Sequence, residues 1–340
     1  MIKFSVIVPV YNGKKTLAIC LAAIKKQVNK QTEIIVVDDC SPQKDLKEIA
    51  ERFTPRYFRL KENCGAGRVR NFGAQKAKGE WLIFIDSDVI VSGSFLKEVF
   101  KKLKLLPKNT CLQGVYGWQT PIKNVYSQYK NFYYYYNFFY RIKEEKYSYL
   151  SSHCFILQRK VFKEVGGFNR QIKTVMEDAD LGFRLIQKGC CVLLDKKIVV
   201  THLKKFSLSG LLINDAKLSF AKAKHVLRNS HKKDKERLVV VSGGRVSEMY
   251  PIVLSVLLSP VILFVLLMLI FFQNISFLYL LVLLLSVLLL LNFGFFKFIG
   301  CKKRPLYLLK VIPIFYLDML SSFLGTMLGV VDYSLFDRKY

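Results

Sequence analysis

The chain is poor in acidic residues: 25 Asp and Glu stand against 53 Lys and Arg, which gives a formal net charge of +28 over 340 residues. Such an excess of positive charge favours nucleic acid or anionic lipid as a partner. Lipid is the better interpretation, because long apolar segments lie beside the basic clusters. The hydrophobic content of 52% is too high for an ordinary soluble enzyme, and most of the excess follows Met249. We therefore expect a membrane, and no nucleic acid, among the partners.

The cysteines and the N-terminus also exclude some classes of protein. The eight cysteines form no C-x-x-C pair, and no His stands at zinc-ligand spacing from them. This pattern argues against a disulfide scaffold and fits a reducing compartment. The N-terminus lacks the charged region, the long apolar core and the cleavage site of a signal peptide. We expect the first part of the chain to stay in the cytoplasm.

Short apolar runs alternate with helical patterns through the first hundred residues. Each run is apolar on both faces, which is typical of strands buried in a parallel, doubly wound α/β sheet. Helical spacing of apolar residues, charged stretches and glycine-containing loops separate the runs. The predicted strands are Phe4–Val10, Glu33–Val37, Tyr57–Leu60 and Trp81–Ile85, with two more near Phe155–Leu157 and Val192–Leu194.

An acidic pair, Asp86-Ser87-Asp88, follows the strand that ends at Ile85. Ligands of open α/β sheets gather at such strand ends. Two carboxylates one residue apart can bind a hard divalent cation that bridges a diphosphate. Asp and Ser are also common turn residues. The pair by itself therefore leaves a metal site and a simple turn equally open.

A second acidic segment, Glu177-Asp178-Ala179-Asp180, opens a predicted helix. Carboxylates in the first turn of a helix are stabilised by its dipole, so capping explains part of this acidity. Asp180 and Arg184 also stand at i,i+4 spacing, where they can pair on the helix surface.

Between the two acidic segments lies an unusually aromatic stretch, from Tyr129 to Tyr140. Tyrosine joins an apolar ring to a polar tip, which suits a membrane interface or a sugar-binding groove. A core helix whose hydroxyl groups find partners is the alternative interpretation.

The last third of the chain predicts a membrane domain over residues 249–340, joined to residues 1–210 by a basic helix or linker at 211–248. Two apolar blocks, 250–272 and 275–296, are each long enough to span a bilayer and are separated by little more than Gln273-Asn274. Lys and Arg flank both outer ends, so the positive-inside rule places the N-terminal domain in the cytoplasm. We expect a multi-pass protein of the cell (inner) membrane. A third block, 311–331, can span, re-enter or lie in the interface, and we favour a third span.

Taken in order, these motifs resemble the family 2 glycosyltransferases, which are nucleotide-sugar-dependent enzymes of the GT-A type fold. The likeness covers about residues 3–206. The matching segments are Val6–Gly13, Val37–Ser41, Asn63–Gly73, Asp86–Asp88, Gly166–Phe168, Glu177–Arg184 and His202.

The resemblance implies a Rossmann-like, mostly parallel sheet that binds a nucleotide-diphosphate sugar, most simply a UDP sugar. Asp39 would accept a hydrogen bond from the base, and Arg70 would lie near the phosphates or ribose. Mg²⁺ or Mn²⁺ would be held by Asp88, with Asp86 and His202. The nucleotide-sugar-binding residues implied are Pro9, Tyr11, Asp39, Arg70, Asp86 and Ser87.

The resemblance also assigns the acceptor side. Asp178 would be the general base that removes the proton of the acceptor hydroxyl, and one base with direct displacement implies inversion. The acceptor-side residues implied are Glu177, Asp180 and Gly167. The acceptor loop departs from the family pattern, since Ser151-Ser152-His153-Cys154 replaces a glycine-containing loop, and His153 could supply a substitute contact. The Gln-x-x-Arg-Trp signature of processive synthases is absent after His202, which favours transfer of one sugar per acceptor.

We therefore predict an inverting, metal-dependent glycosyltransferase that works on a lipid-linked or membrane-proximal acceptor in glycan or cell-envelope biosynthesis. One alternative is a polyprenyl-phosphate sugar synthase, whose phosphate acceptor needs little help from a base. Another, of a different class, is a non-catalytic membrane scaffold that retains a nucleotide-binding fold.

Overall fold

The computed structural model describes residues 2–143, 150–172, 175–230 and 246–336. The chain folds into two compact units. Unit 1 comprises residues 1–122 and 143–204, and unit 2 comprises residues 123–142 and 205–340. The boundary predicted near residue 210 is close to the second junction. The segment 123–142 was not expected in unit 2.

Unit 1 is built on one eight-stranded sheet with the order β3-β2-β1-β4-β7-β6-β8-β5. Its strands are β1 (Phe4–Val10), β2 (Thr32–Asp38), β3 (Tyr57–Arg59), β4 (Trp81–Ile85), β5 (Val89–Val91), β6 (Thr110–Tyr116), β7 (Cys154–Gln158) and β8 (Cys191–His202). Its helices are α1 (Lys14–Lys25), α2 (Leu46–Glu51), α3 (Ala66–Lys76), α4 (Phe95–Leu103), α6 (Arg159–Glu164) and α7 (Glu177–Gln187).

The first half of this sheet is parallel, as the sequence predicts. Strands β1, β2, β3 and β4 pair in parallel, and every residue of β1 and β4 is buried. The second half is mixed, because β7 runs antiparallel to both β4 and β6, and β5 runs antiparallel to β8. The α/β fold class is confirmed. The carboxyl ends of β1, β2 and β4 meet at one edge, where ligands of such sheets bind.

Unit 2 is helical. Its helices are α5 (Val125–Tyr136), which continues into a π-helical turn (Asn137–Arg141), α8 (Leu208–Ser230), α9 (Val246–Phe272), α10 (Ile275–Leu291), α11 (Phe293–Lys302) and α12 (Leu308–Leu335). Helix α12 lies along α8, and two glycines allow the close approach. A Cβ added at Gly325 or Gly329 would stand 2.2 or 2.5 Å from a carbonyl oxygen of α8.

The aromatic stretch forms α5 and the turn after it, and its side chains are divided between core and surface. Tyr129 and Phe132 are buried, and their rings lie against Phe295 and Phe298 of α11. The Tyr129 hydroxyl donates to Asp318 of α12 at 2.6 Å. Tyr140 at the other end is exposed. These contacts explain why this segment belongs to unit 2.

The described residues contain two helices long and apolar enough to cross a membrane, Met249–Phe272 and Pro305–Leu335. The first contains the predicted block at 250–272. The second contains the predicted third block as one continuous helix, although Pro313 and Asp318 lie within it. The predicted block at 275–296 is not a single helix: α10 ends at Leu291 and α11 begins at Phe293 with a bend of 70°. Of the predicted basic linker, residues 211–230 lie in α8 and residues 231–245 lie outside the described residues.

Candidate active site

A pocket of about 410 Å³ lies at the carboxyl ends of β1, β2 and β4. Seven of the residues predicted from the sequence line it: Pro9, Tyr11, Asp39, Arg70, Asp86, Ser87 and Asp88. Five further lining residues were not singled out individually: Val10, Asn63, Gly65, Ala66 and Val69. Four of these five fall inside the predicted loop and helix that begin at Asn63, so the motif located the segment without identifying which of its side chains face the pocket.

Asp39 holds the loop that precedes α3 against the end of β2. One carboxylate oxygen accepts the backbone N–H of Cys64 at 2.7 Å, and the other accepts that of Gly65 at 2.9 Å. A carboxylate oxygen can accept two hydrogen bonds, so each retains capacity for a ligand donor. Tyr11 lies on the same pocket wall and is 50% exposed. Asp39 and Tyr11 thus supply an acceptor and an aromatic face to one pocket, as a nucleobase requires.

Arg70 connects the two predicted acidic segments. Its guanidinium lies 2.6 Å from an Asp86 oxygen and 2.9 Å from a Glu177 oxygen, and the residue is only 3% exposed. The sequence predicted Arg70 beside the phosphates or ribose. The structure directs it to these two carboxylates while it also lines the pocket, so it joins the donor side of the site to the start of α7.

One guanidinium serves two carboxylates, the half-buried Asp86 and the buried Glu177, and the pKa values of both are raised. Burial, aided by the charge of Asp178, raises the pKa of Glu177 to about 7 despite the attraction of Arg70. Burial also raises the pKa of Asp86. The charge of Asp88 raises this pKa further, while the charge of Arg70 lowers it. These shifts mark the start of α7 and the end of β4 as one electrostatic unit.

Asp88 and His202 lie side by side, because β5 and β8 pair with Val89 opposite His202. The His202 Nε2 is 3.5 Å from an Asp88 oxygen. Burial alone would raise the pKa of Asp88, but the hydrogen bond and charge of His202 hold it below its ordinary value. A carboxylate and an imidazole are suitable ligands for a divalent cation such as Mn²⁺.

No complete metal cluster of three His, Cys, Asp or Glu side chains occurs in the part of the chain that the structure describes. Asp86, predicted as a second carboxylate ligand, accepts a hydrogen bond from Arg70 at one oxygen and lines the pocket beside Asp88. Asp88 and His202 thus fit a cation that takes its remaining ligands from a diphosphate and water, as Mg²⁺ commonly does.

Asp178 stands in the first turn of α7, where its carboxylate is oriented by two backbone donors. One oxygen accepts the N–H of Ser152 and the other accepts the N–H of Ala179, both at 2.9 Å. Met176, just before the helix, has a left-handed φ of 79°, a conformation that non-glycine residues rarely adopt. Asp178 is partly exposed. Its charge adds, after those of Asp86 and Glu177, to the raised pKa of Arg70, and after burial and the charge of Asp88 to the raised pKa of Asp86. It therefore lies near the donor pocket with a carboxylate that a substrate hydroxyl can approach.

The other residues predicted on the acceptor side have supporting contacts. Asp180 pairs with Arg184 at 2.7 Å, which is the alternative that their spacing suggested. Gly167 has a φ of 66°, and a Cβ there would stand 2.5 Å from the Asn71 side-chain oxygen. His153 does not offer its side chain to an acceptor in this arrangement, because it is 2% exposed and stacked on Tyr116 at 3.9 Å.

Comparison with known proteins identifies relatives of this part of the chain. Residues 5–166 match the family model "Glycosyl transferase family 2". An uncharacterized glycosyltransferase of Haemophilus influenzae is 34% identical over 113 residues, which are 33% of this chain and 37% of the relative. The poly(ribitol-phosphate) beta-N-acetylglucosaminyltransferase TarS of Staphylococcus aureus is 38% identical over 105 residues, which are 29% of this chain and 18% of that protein. The chain thus spans well under half of the length of these curated relatives.

A solved structure resembles a larger part of the chain. The mannosyltransferase PcManGT of Pyrobaculum calidifontis, in complex with GDP-Man and Mn²⁺, superimposes with a TM-score of 0.57. The match covers 96% of this chain and 87% of that one, at 16% sequence identity. At this identity the likeness supports the fold alone.

Proposed function

We propose, from the match of residues 5–166 to the glycosyl transferase family 2 model, that the chain is an inverting, metal-dependent glycosyltransferase. It moves a single sugar from a nucleotide-diphosphate sugar, most simply a UDP sugar, to a lipid-linked or membrane-proximal acceptor. The observation that carries this proposal is the Arg70 bridge, which joins the pocket acid Asp86 to Glu177, the neighbour of Asp178. The donor pocket and the candidate base are thereby held in one arrangement.

The donor side of the reaction is assigned to the pocket. The nucleobase would bind against Tyr11 and Asp39, and the diphosphate would lie toward Asp86 and Asp88. A bound Mg²⁺ or Mn²⁺, held by Asp88 and His202, would neutralise the leaving diphosphate. The GDP-Man and Mn²⁺ bound by PcManGT are consistent with this class of donor and cation.

The acceptor side is assigned to Asp178. Its carboxylate would take the proton of the acceptor hydroxyl as that oxygen attacks the anomeric carbon from the face opposite the diphosphate. The backbone N–H groups of Ser152 and Ala179 keep the carboxylate in place for this step. Direct displacement with one base inverts the anomeric configuration.

The membrane setting rests on unit 2. Helices Met249–Phe272 and Pro305–Leu335 have the length and composition of membrane spans, and the basic flanks favour a cytoplasmic location for unit 1. Such an anchor would confine the site to acceptors near the bilayer. The missing Gln-x-x-Arg-Trp signature supports transfer of one sugar rather than chain extension.

The proposal is tested with the full chain in detergent, a panel of UDP and GDP sugars with Mn²⁺ or Mg²⁺, and a membrane-lipid extract as the acceptor source. Mass spectrometry should detect a lipid product heavier by one sugar, and NMR should show an inverted anomeric centre. Asp178→Asn should lower kcat by about 10² to 10⁴-fold, as expected for loss of a general base. Glu164→Gln, at an exposed position at the end of α6, is the control and should leave kcat unchanged.

Three results would change the assignment. Near wild-type turnover by Asp178→Asn with a hydroxyl acceptor would refute the base. A mild Asp178→Asn effect confined to polyprenyl phosphate would identify a polyprenyl-phosphate sugar synthase. An unchanged dependence on Mn²⁺ in Asp88→Ala would remove that carboxylate from the cation site.

A further inference from the structure

The bend between α10 and α11 contains a buried polar contact. Asn292, at the bend, is 1% exposed, and its amide nitrogen donates to the Ser255 hydroxyl of α9 at 2.7 Å. The side-chain oxygen of Asn292 accepts a hydrogen bond from the Arg141 guanidinium at 2.9 Å. Since α11 begins at the next residue, this contact places a positive charge at the start of that helix.

Arg141 carries its charge without a carboxylate partner among the described residues. Two lysines of unit 2 do have carboxylate partners: Lys130 pairs with Asp215, and Lys224 pairs with Asp332. Arg141 is 9% exposed, and its Nη1 is buried without a hydrogen-bond partner. Burial lowers the pKa of its guanidinium. A buried and uncompensated charge is costly, so its presence points to an anion that compensates it.

The Tyr136 hydroxyl and the first backbone N–H groups of α11 are further hydrogen-bond donors near Arg141. A Cβ on Gly294 would stand 2.2 Å from the Tyr136 hydroxyl, so that hydroxyl lies against the first turn of α11. The Tyr136 ring also faces Arg141, whose guanidinium carbon lies 5.4 Å from the ring centroid. The first N–H groups of a helix have no partner within it and attract anions. Gly294 is exposed and Phe293 is 61% exposed, so the start of α11 opens to the surface.

The position of this site suggests which anion it takes. Ser255 lies 17 residues before Phe272, the last residue of α9, and Asn292 lies 17 residues after Ile275, the first residue of α10. At 1.5 Å per residue this is about 26 Å, close to the thickness of the hydrocarbon core. A membrane hairpin with its turn at one surface would therefore bring Arg141 to the headgroup level of the other surface. Basic pockets between membrane helices bind the phosphate groups of lipids there.

We infer that Arg141, Tyr136 and the start of α11 form a binding site for the phosphate group of a membrane lipid. A polyprenyl phosphate and an anionic phospholipid share this chemistry, and either can supply it. The inference rests on the membrane-facing role proposed above. It requires neither sugar transfer nor the residues of the donor pocket.

Lipid binding to the full chain in neutral detergent tests the inference by native mass spectrometry, with no nucleotide sugar present. The probes are polyprenyl phosphate, phosphatidylglycerol and inorganic phosphate, with unphosphorylated polyprenol as the reference. Arg141→Gln should weaken binding of the phosphate lipid about tenfold or more, as expected for loss of a charge-assisted hydrogen bond. Tyr136→Phe should weaken it by a few fold. Lys297→Gln, which removes an exposed charge from the same helix, is the matched control and should bind as the wild type does.

Comparison of the probes shows which kind of lipid supplies the phosphate group. A loss confined to polyprenyl phosphate assigns the site to a lipid carrier, and an equal loss for phosphatidylglycerol assigns it to bulk phospholipid. Loss of inorganic phosphate binding alone would overturn the lipid assignment. Wild-type binding by both Arg141→Gln and Tyr136→Phe would overturn the site. If Arg141→Gln does not fold, Arg141→Lys takes its place, and wild-type binding by both Arg141→Lys and Tyr136→Phe would overturn the site. Because no sugar is transferred, either outcome leaves the glycosyltransferase assay to be judged separately.

Discussion

The burial of Glu177, next to the charge of Asp178, predicts an unusual dependence of stability on pH. The pKa of Glu177 is about 7 in the folded protein, against 4.5 for an ordinary Glu. Between these values the folded state binds more protons than the unfolded state, so this group's stabilisation is complete below pH 4.5 and is lost as pH rises through about 7. At 1.36 kcal/mol for each pH unit, the difference is about 3 kcal/mol. Glu177 is buried, so screening by solvent does not reduce this figure greatly.

Glu177→Gln imitates the protonated side chain and should remove this dependence. We expect the variant to match the wild type near pH 4 and to exceed its stability by about 3 kcal/mol at pH 8. That corresponds to a rise in Tm of roughly 6 to 12 °C for a unit of this size. Both tryptophans, Trp81 and Trp118, lie in unit 1, so the tryptophan fluorescence of the full chain reports the unfolding of the unit that contains Glu177.

Glu164→Gln is the matched control for this measurement. Glu164 is exposed and 3.9 Å from Lys160, so its replacement should change Tm by little at any pH. Parallel curves of Tm against pH for the wild type and Glu177→Gln would refute the reasoning. A Glu177→Gln variant less stable than the wild type at pH 8 would show that the ion pair with Arg70 outweighs the cost of burial.

Three further predictions concern stability and reactivity. Gly167→Ala should destabilise unit 1 by about 1 to 3 kcal/mol more than Gly166→Ala in chemical denaturation, because both have positive φ but only Gly167 has a close neighbour. Lys130→Met should destabilise unit 2 by about 3 to 5 kcal/mol, since it leaves Asp215 buried without its partner, and adding Asp215→Asn should recover part of the loss in the same assay. Iodoacetamide at pH 8 should modify three thiols only after denaturation, as read by peptide mass spectrometry, because burial raises the pKa of each. These are Cys20, Cys111 and Cys154.

Much of the fold could be predicted from local patterns in the sequence. The runs at Phe4 and Trp81 are apolar on both faces, so burial on both sides of a sheet follows from composition, and both strands have the predicted bounds. The antiparallel β7 could not be predicted in this way. Its run of five buried residues has the same character as a parallel strand, and direction depends on the path of the chain between strands.

In the site, as in the fold, local sequence motifs could be predicted and contacts between distant residues could not. The Asp86-Ser87-Asp88 motif located the pocket, because a strand end is a local feature. The pairing of Arg70 with Glu177 spans 107 residues, and no local spacing reveals a contact at that distance. The bend at Asn292 was missed for a related reason: the apolar pattern continues through it, while the polar contacts of Asn292 that accompany the bend come from α9 and from the segment before residue 142.

The insertion of residues 123–142 into unit 2 has a consequence for synthesis on the ribosome. The partner of Tyr129 in α12, Asp318, is 189 positions further along the chain. At a translation rate of 5 to 20 residues per second, α5 waits roughly 10 to 40 s before that partner has been made. During this interval the aromatic side chains of α5 and the Lys130 ammonium group lack the surfaces that bury them in the finished protein. We therefore expect the nascent chain to depend on a chaperone or the nearby membrane surface to protect α5 until α12 has been made.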